Sequence, residues 1–373
     1  MRLLRLLEVQ LILRAPTRFF IYGSVAALLL LALAYSAYWF VSAGRIAAEL
    51  ERLDGNEIVP GVTLQFAAMD IGGFPFRFDV LLGGVTLAAR GEDGESAWRS
   101  ERIALHAMSY GRALYVLEAD GLQSFSWPGA EDAPQNILQM TSGLMRASAL
   151  IEDSRLERLD IDILNAEGRD VALNAATMRE FNAARAQLHL VAQEDDTIGF
   201  VAALDAGTIG AGFRPALGTD LSRVRMEGEI TQAQSLRNLR AGVAEIRASL
   251  DAWRSQGGVV SLQPLEASWG GTLLRGSGEL FFDEGRRLSG QVSAVPEDPV
   301  SFLGALAQSE MIPPQARAQL GNFREIVAGL PGNLDLPIRL EARLPLGPEP
   351  ATPRLRIEGV SAIVIEFGGA AAP

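Results

Sequence analysis

Phe74-Pro75-Phe76-Arg77-Phe78-Asp79-Val80-Leu81-Leu82 places Phe74, Phe76, Phe78, Val80 and Leu82 on one side of an extended chain, with Arg77 and Asp79 on the other. Successive side chains of a strand point to opposite faces, so a period of two predicts a strand with one apolar face. The same period recurs along the chain. Ile103, Leu105 and Ala107 alternate with His106 and Met108, and Leu159, Ile161 and Ile163 with Asp160 and Asp162. Leu188 and Leu190 flank His189, Val224, Met226 and Ile230 alternate with Arg225, Glu227 and Glu229, and Leu336, Ile338, Leu340 and Leu344 with Arg339, Glu341 and Arg343. Gly83-Gly84, Gly111, Pro128-Gly129, Gly168, Gly257-Gly258, Gly270-Gly271 and Gly285 stand between these runs as turn residues. One apolar face per strand predicts antiparallel sheet with one side against a core or a groove. The expected class is α+β, mainly antiparallel β: a sandwich or open β-groove with a few packed helices, plus one N-terminal transmembrane helix.

Three helices are expected to interrupt the strands. Leu236, Leu239, Val243, Ile246, Leu250 and Trp253 recur at helical spacing, which predicts one helix from about Ser235 to Arg254, with Ser235 as N-cap and Gly257 as stop. A second starts at Asp298-Pro299 and runs through Leu303 and Leu306. A third follows Pro313-Pro314 through Leu320, Phe323 and Val327 and ends at Gly329.

Ahead of the strands, Phe19 to Val41 is a run of 23 residues without a charge. A helix needs about 20 such residues to cross the hydrocarbon of a bilayer. Tyr22 sits near one end and Tyr35, Tyr38 and Trp39 near the other, where amphipathic rings favour the headgroup zone. Arg2, Arg5, Arg14 and Arg18 precede the run, whereas Arg45 and Arg52 after it are offset by Glu49 and Glu51. The positive-inside rule then places the N-terminus in the cytoplasm and the bulk outside. Val41-Ser42-Ala43 resembles a signal cleavage site, but the apolar run is too long for an ordinary signal, and an uncleaved anchor is expected. The expected organisation is a cytoplasmic leader (1–18), an anchor (19–41), a β-rich extracytoplasmic domain (42–367) with a soft boundary near 231–257, and a small-residue tail (368–373). Segment 3–13 has the character of a short amphipathic helix on the inner membrane surface.

The formal net charge of −12 is unevenly placed. Up to Val41 the chain carries four Arg against Glu8, or +3, and the remaining 29 Arg against 44 acidic residues give −15. That balance argues against nucleic acid, which needs a basic face. All 33 basic residues are Arg, and scattered. No Cys is present, which removes disulfides, thiol nucleophiles and thiolate metal sites.

No motif assigns a reaction. His106 and His189 are far apart in sequence, each inside a strand and outside any Gly-rich elbow or helix-borne pair. Asp160 and Asp162 share a strand face about 7 Å apart, but Arg158 shares it too, which predicts a solvated charged face. Gly207-Thr208-Ile209-Gly210-Ala211-Gly212 fails as a phosphate loop because Pro215 stands where the last Gly belongs. No catalytic residue, metal site or cofactor is expected.

Gly72-Gly73-Phe74-Pro75-Phe76-Arg77-Phe78-Asp79 after a single anchor resembles an alphaproteobacterial family of membrane-anchored proteins defined only as a domain of unknown function. Ala267-Ser268-Trp269-Gly270-Gly271, Gly276-Ser277-Gly278-Glu279-Leu280 and Leu288-Ser289-Gly290 are similar to it as well, and more loosely to the C-terminal repeats of AsmA-like envelope proteins. Those proteins project a β-groove into the periplasm and are implicated in lipid traffic or outer-membrane assembly. The resemblance implies an inner-membrane protein with its bulk in the periplasm, with lipid and other envelope proteins as partners. This chain is too short to span an envelope alone.

Leu274, Gly276, Gly278, Leu280 and Phe282 fall on one face of one strand, so two positions there lack a side chain. Gly inside a strand serves where a ligand or another backbone comes close. The trough is expected either to take an acyl chain or to lie under the Ser235–Arg254 helix. Phe74, Phe76, Phe78, Trp269, Gly276, Gly278, Leu280 and Phe282 are the candidate lipid-facing residues. The competing reading is a scaffold or interaction module with a closed β core. A periplasmic hydrolase is a third, without a motif.

The arginine bias makes a first prediction. Alkaline phosphatase fused after Arg52 should be active, and a cytoplasmic reporter at the same place inactive; the opposite pattern overturns the orientation.

Overall fold

Each alternating run can satisfy its backbone only by pairing with a neighbour, and the turns between runs are short enough for each strand to fold back on the one before it. The computed structural model describes residues 3–91, 94–111, 113–129, 135–171, 179–194, 196–210, 217–237, 243–284, 287–309, 312–330, 337–344, 354–357 and 363–366. The tail 368–373 and residues 211–216 lie outside them.

The chain opens with α1 (Leu3–Leu53), followed by β1 (Asn56–Val59), β2 (Val62–Gln65), β3 (Ala68–Gly72), β4 (Arg77–Gly91), β5 (Gly94–Met108) and β6 (Ala113–Trp127). Next come β7 (Asn136–Thr141), β8 (Leu144–Glu152), β9 (Arg155–Asp170), β10 (Arg179–Ala192), β11 (Ile198–Ile209) and β12 (Asp220–Ile230). Two helices, α2 (Gln234–Arg237) and α3 (Val243–Ser255), lead to β13 (Val260–Trp269), β14 (Thr272–Phe282) and β15 (Leu288–Pro296). The rest is α4 (Pro299–Gln308), α5 (Pro314–Ala328), β16 (Ile338–Leu344), β17 (Arg354–Ile357) and β18 (Ile363–Glu366).

These strands form one antiparallel sheet rather than the two of a sandwich. From β4 onward the sheet is a meander, each strand pairing with its successor, except that β7 and β8 share one lane between β6 and β9. The meander continues through β10, β11, β12, β13, β14, β15, β16, β17 and β18. β2 and β3 share the lane on the other side of β4. Because β12 pairs directly with β13, the sheet runs unbroken past the 231–257 segment.

Register carries the alternation across every lane. Val80 pairs with Leu105, Leu105 with Leu117, Leu117 with Ala147, Ala147 with Ile161, Ile161 with Leu188, and Leu188 with Ala202. Ala202 then pairs with Met226, and Met226 with Leu265. Residues directly opposite one another project to the same side, so one apolar face extends through the whole meander. The other face carries Asp79, His106, Arg146, Asp162, Arg223 and Glu266.

The sheet coils. Arg247 of α3 lies against Gly91 at the end of β4, its Nη2 3.0 Å from where a Cβ on Gly91 would sit. Six residues on, Trp253 meets Phe282 at the end of β14 edge-on, with ring centroids 5.4 Å apart. In a flat sheet β4 and β14 would stand nine strand spacings, or about 43 Å, apart; six helical residues span about 9 Å. Traced by register, Gly91 and Phe282 also lie on opposite rims. Nine steps of about 20–25° rotate the strands by about half a turn, which brings those rims together. Phe282 belongs to the apolar face, so α3 lies on that side and the apolar face is the inside of the curl.

Helices cover this inside at its two ends. At the N-terminal end α1 lays Trp39, Ala43, Ile46 and Leu50 on Phe78, Val80 and Ile71. At the C-terminal end Phe302, Leu303 and Leu306 of α4 and Leu320, Phe323 and Val327 of α5 pack with Leu217, Ile338 and Ile357. Asp298 caps α4 by accepting from the Ser301 backbone N–H at 3.0 Å, with Pro299 in the first turn. α4 and α5 thus fall where the sequence places them. α2 and α3 occupy the two ends of the helix expected from Ser235 to Arg254; residues 238–242 lie outside the described residues.

α1 continues past the apolar run into the domain, and its stretch Tyr22–Leu53 is long and apolar enough to cross a membrane. Segment 3–13 is the first part of this same helix.

In the middle of the sheet Leu117, Met145, Ile161, Leu188, Phe200 and Met226 are only half-buried, whereas Leu303 is fully buried. Leu303→Ala should therefore cost about 2–5 kcal/mol and Ile161→Ala about 1 kcal/mol. Denaturant unfolding of the full chain in detergent measures both; equal losses would mean that the middle of the sheet is closed core.

Candidate functional site

The site that the fold builds is the inside of the curl between the two helical covers. Its floor is the apolar face of β6 to β13. Leu117, Met145, Ile161, Leu188, Phe200 and Met226 are half-buried along it, whereas Ala119, Met140, Ile198 and Leu262 on the same face are buried. A packed interior at crystal-like density leaves almost no large aliphatic side chain half-open in this way. At these half-buried positions the floor has the exposure of a groove rather than of a filled core. A separate cavity of about 450 Å³ at the rim of β7, β9, β10 and β11 is lined mostly by polar and charged residues of the other face, Gln139, Thr141, Glu167, Arg169, Glu180 and Asn182 among them. On the apolar face at this rim the Phe181 ring lies over Gly168, its cross-strand partner, and a Cβ on Gly168 would collide with it.

The candidate residues from the sequence are distributed differently. Phe74, Phe76 and Phe78 do not share a strand face, because β4 begins only at Arg77 and Phe74-Pro75-Phe76 form a turn ahead of it. Arg77 N–H bonds back to Gly73 O at 3.1 Å and closes that turn. Phe78 alone reaches the apolar face, where it is buried and stacked on Trp39 with ring centroids 5.5 Å apart. Phe74 packs on Trp39 and Phe40 of α1, Phe76 on Tyr110, and both stay exposed.

Gly276 and Gly278 do lie on the apolar face, and the backbone of β15 comes close to both. A Cβ on Gly276 would collide with the Ser293 carbonyl of β15, and one on Gly278 would come within 2.7 Å of the Gln291 carbonyl. They are glycine because the adjacent backbone comes close in the tightly coiled part of the sheet. Trp269 packs against the α4–α5 cover and donates from Nε1 to Gly218 O at 2.7 Å. Phe282 meets Trp253, and Leu280 remains half-buried on the floor. The residues that line the groove, Ile161 and Leu188 among them, show in the sequence only as ordinary alternation.

The opposite face is charged and solvated. Asp79 Oδ1 accepts from His106 Nδ1 at 2.6 Å while its Oδ2 accepts from Arg77 at 3.0 Å. The arrangement recurs on β9 and β10, where Asp160 accepts from His189 at 2.8 Å and from Arg158 at 2.7 Å. In each case the Asp and His are direct cross-strand partners and the Arg lies two residues before the Asp. The offsets between the two sets are 81 for Arg and Asp (158 − 77 and 160 − 79) and 83 for His (189 − 106). The two histidines are thus a repeated cross-strand device, which the sequence reading missed because the flanking residues differ. Asp160 and Asp162 sit on this face as expected, and Arg185 grips Asp162 bidentately, both contacts at 2.9 Å. Among the described residues no group of three or more His, Cys, Asp or Glu could hold a metal ion.

A family of bacterial proteins described as "Uncharacterized protein conserved in bacteria (DUF2125)" matches residues 39–350. The chain belongs to this family. The DUF2125 match begins at Trp39, the first side chain of α1 buried against the sheet, and takes in both helical covers and the groove between them. No curated protein and no solved structure matches the chain.

Burial pushes the Asp160 carboxyl up, but hydrogen bonds from His189 and Arg158 outweigh it and hold it below the usual carboxylate range. The Arg185 hydrogen bonds do the same for Asp162. A carboxyl lowered in the folded state adds stability that is complete above its unfolded value of about 3.9 and is lost as pH falls through the folded value. Unfolding free energy should therefore drop as pH falls below about 4, and drop less in Asp162→Asn. Identical pH profiles for the two proteins in denaturant titrations would show that the Asp162–Arg185 pair adds nothing.

Proposed function

We propose that this DUF2125 protein is anchored in the inner membrane by α1, N-terminus in the cytoplasm, and holds acyl chains of lipid along the apolar inside of its curled sheet in the periplasm. The observation that carries the reading is the half-burial of the groove floor. A scaffold with a closed core would bury Leu117, Ile161, Leu188 and Phe200 as completely as the helical cover buries Leu303. An acyl chain laid on that floor gains about 0.8 kcal/mol for each methylene it takes out of water. The resemblance to AsmA-like envelope proteins belongs to the same proposal: lipid handling or envelope assembly, with no reaction catalysed. Leu117, Ala147, Ile161, Leu188, Ala202 and Met226, which pair in one row across the floor, are all apolar, which suits a ligand recognised by apolar length rather than by hydrogen bonds.

A photo-crosslinking amino acid placed in the full chain tests this in living cells. Leu188 and Ala202 lie on the floor, and their neighbours Gln187 and Ala203 lie on the outer face of the same two strands. Lipid adducts should form at Leu188 and Ala202 and not at Gln187 and Ala203. Protein adducts alone on the inner face, or equal labelling of both faces, would favour the scaffold reading instead.

A further inference from the structure

Where α1 meets the domain, an aromatic rim surrounds the helix. Phe76 is 60% exposed, Tyr110 58% and Phe74 49%, and Tyr38, Phe40 and Met108 beside them are exposed as well. Phe74 stacks on Phe40 with ring centroids 5.4 Å apart, and Phe76 meets Tyr110 edge-on at 6.5 Å. An exposed apolar patch on this scale marks a surface that meets something.

Its level along α1 says what. The apolar run starts at Phe19, directly after Arg18. A helix rises about 1.5 Å per residue, so about 30 Å of hydrocarbon is used up near Tyr38. The Tyr35 hydroxyl lies about one turn before that point, and it donates to Pro75 O at 2.8 Å and lies 2.7 Å from Ser109 Oγ. The turns that hold Phe74, Phe76 and Tyr110 are thus fastened to α1 at the level where a membrane span would leave the hydrocarbon.

Four of the five carbonyls from Gly73 to Arg77 accept hydrogen bonds from within the protein. Gly73 O accepts from Arg77 N–H at 3.1 Å, and Pro75 O from Tyr35. Phe76 O accepts from Ser109 N–H at 3.1 Å, and Arg77 O from Trp39 Nε1 at 2.9 Å. Pro75 has no N–H to satisfy. Irregular backbone can sit at membrane depth only when its hydrogen bonds are met from within.

We infer that the rim formed by Phe74, Phe76 and Tyr110 is seated in the interfacial zone of the outer leaflet of the bilayer that α1 crosses, so that the domain stands on the membrane rather than above it. Aromatic rings with a polar atom or a neighbouring headgroup favour that zone. The inference rests on the reading of α1 as a membrane span, and it brings the N-terminal end of the sheet to the lipid surface.

The chain has no cysteine, so single cysteines can be introduced into the otherwise unaltered full-length protein. We would reconstitute Phe76→Cys, Tyr110→Cys, Leu28→Cys and Trp127→Cys proteins, each carrying a nitroxide, in vesicles of phosphatidylethanolamine and phosphatidylglycerol. Relaxation by oxygen, which partitions into lipid, is then compared with relaxation by a water-soluble nickel chelate. Labels at Leu28, Phe76 and Tyr110 should favour oxygen, and the label at Trp127, on the far rim of β6, should favour the chelate. A chelate preference at Phe76 or Tyr110 with Leu28 in lipid overturns the seating of the rim alone. A chelate preference at Leu28 overturns the span and the rim with it. An oxygen preference at Trp127 equal to that at Phe76 would mean that the probe reads apolar protein surface, which also overturns the inference.

Discussion

A sheet whose strands all turn their apolar side chains the same way has to cover that side, and everything else in this protein follows from how it does so. The register permits no alternative: a slip of one residue at any lane would turn that strand's apolar set outward, against the charges of its neighbours. Sixteen or so lanes of such a face are more than a few short helices can cover. The chain meets the demand in three ways. α1 covers one end, α4 and α5 cover the other, and twist folds the remainder toward itself, with α3 holding rims that register sets far apart.

The result is an uneven distribution of stability. Fully buried side chains concentrate in the α4–α5 cover, at Leu303, Leu306, Ile312 and Leu320. Between the covers the ladders rest on backbone hydrogen bonds and half-buried contacts, and the ion pairs of the outer face are too exposed to contribute much. A region held this way opens at lower cost than its ends, which suits a surface that takes up and releases an apolar ligand.

The strands were legible in the sequence because a period of two depends only on neighbours along the chain. Val80 and Leu82, Ile161 and Ile163, and Leu188 and Leu190 all occupy the face that alternation assigns them. The α4 cap at Asp298 and the α5 stop at Gly329 were legible for the same reason. Whatever depends on contacts between distant segments was not. Phe74 and Phe76 continue the alternation of β4 on paper, but the closed turn at Gly73–Arg77 takes them off the strand. Gly276 and Gly278 look like an empty trough until the carbonyls of β15 are placed beside them. The curl, and with it the choice between groove and closed core, is the sum of many small rotations that no single stretch of sequence records.

α1 passes from its exposed apolar segment into the domain core as one helix, with no break at which the two could swivel. On the proposed reading of α1 as a membrane anchor, it would be a mast rather than a leash. A domain on a flexible leash sweeps a volume and can reach toward a distant target. A domain whose core shares its last turns with the mast keeps a fixed bearing to the membrane plane, and it leans only as far as the mast itself leans. Under that proposal its encounters would be set by lateral drift within that plane. A partner in the proposed lipid handling would then have to arrive along the same surface, or stand directly over the far end of the sheet.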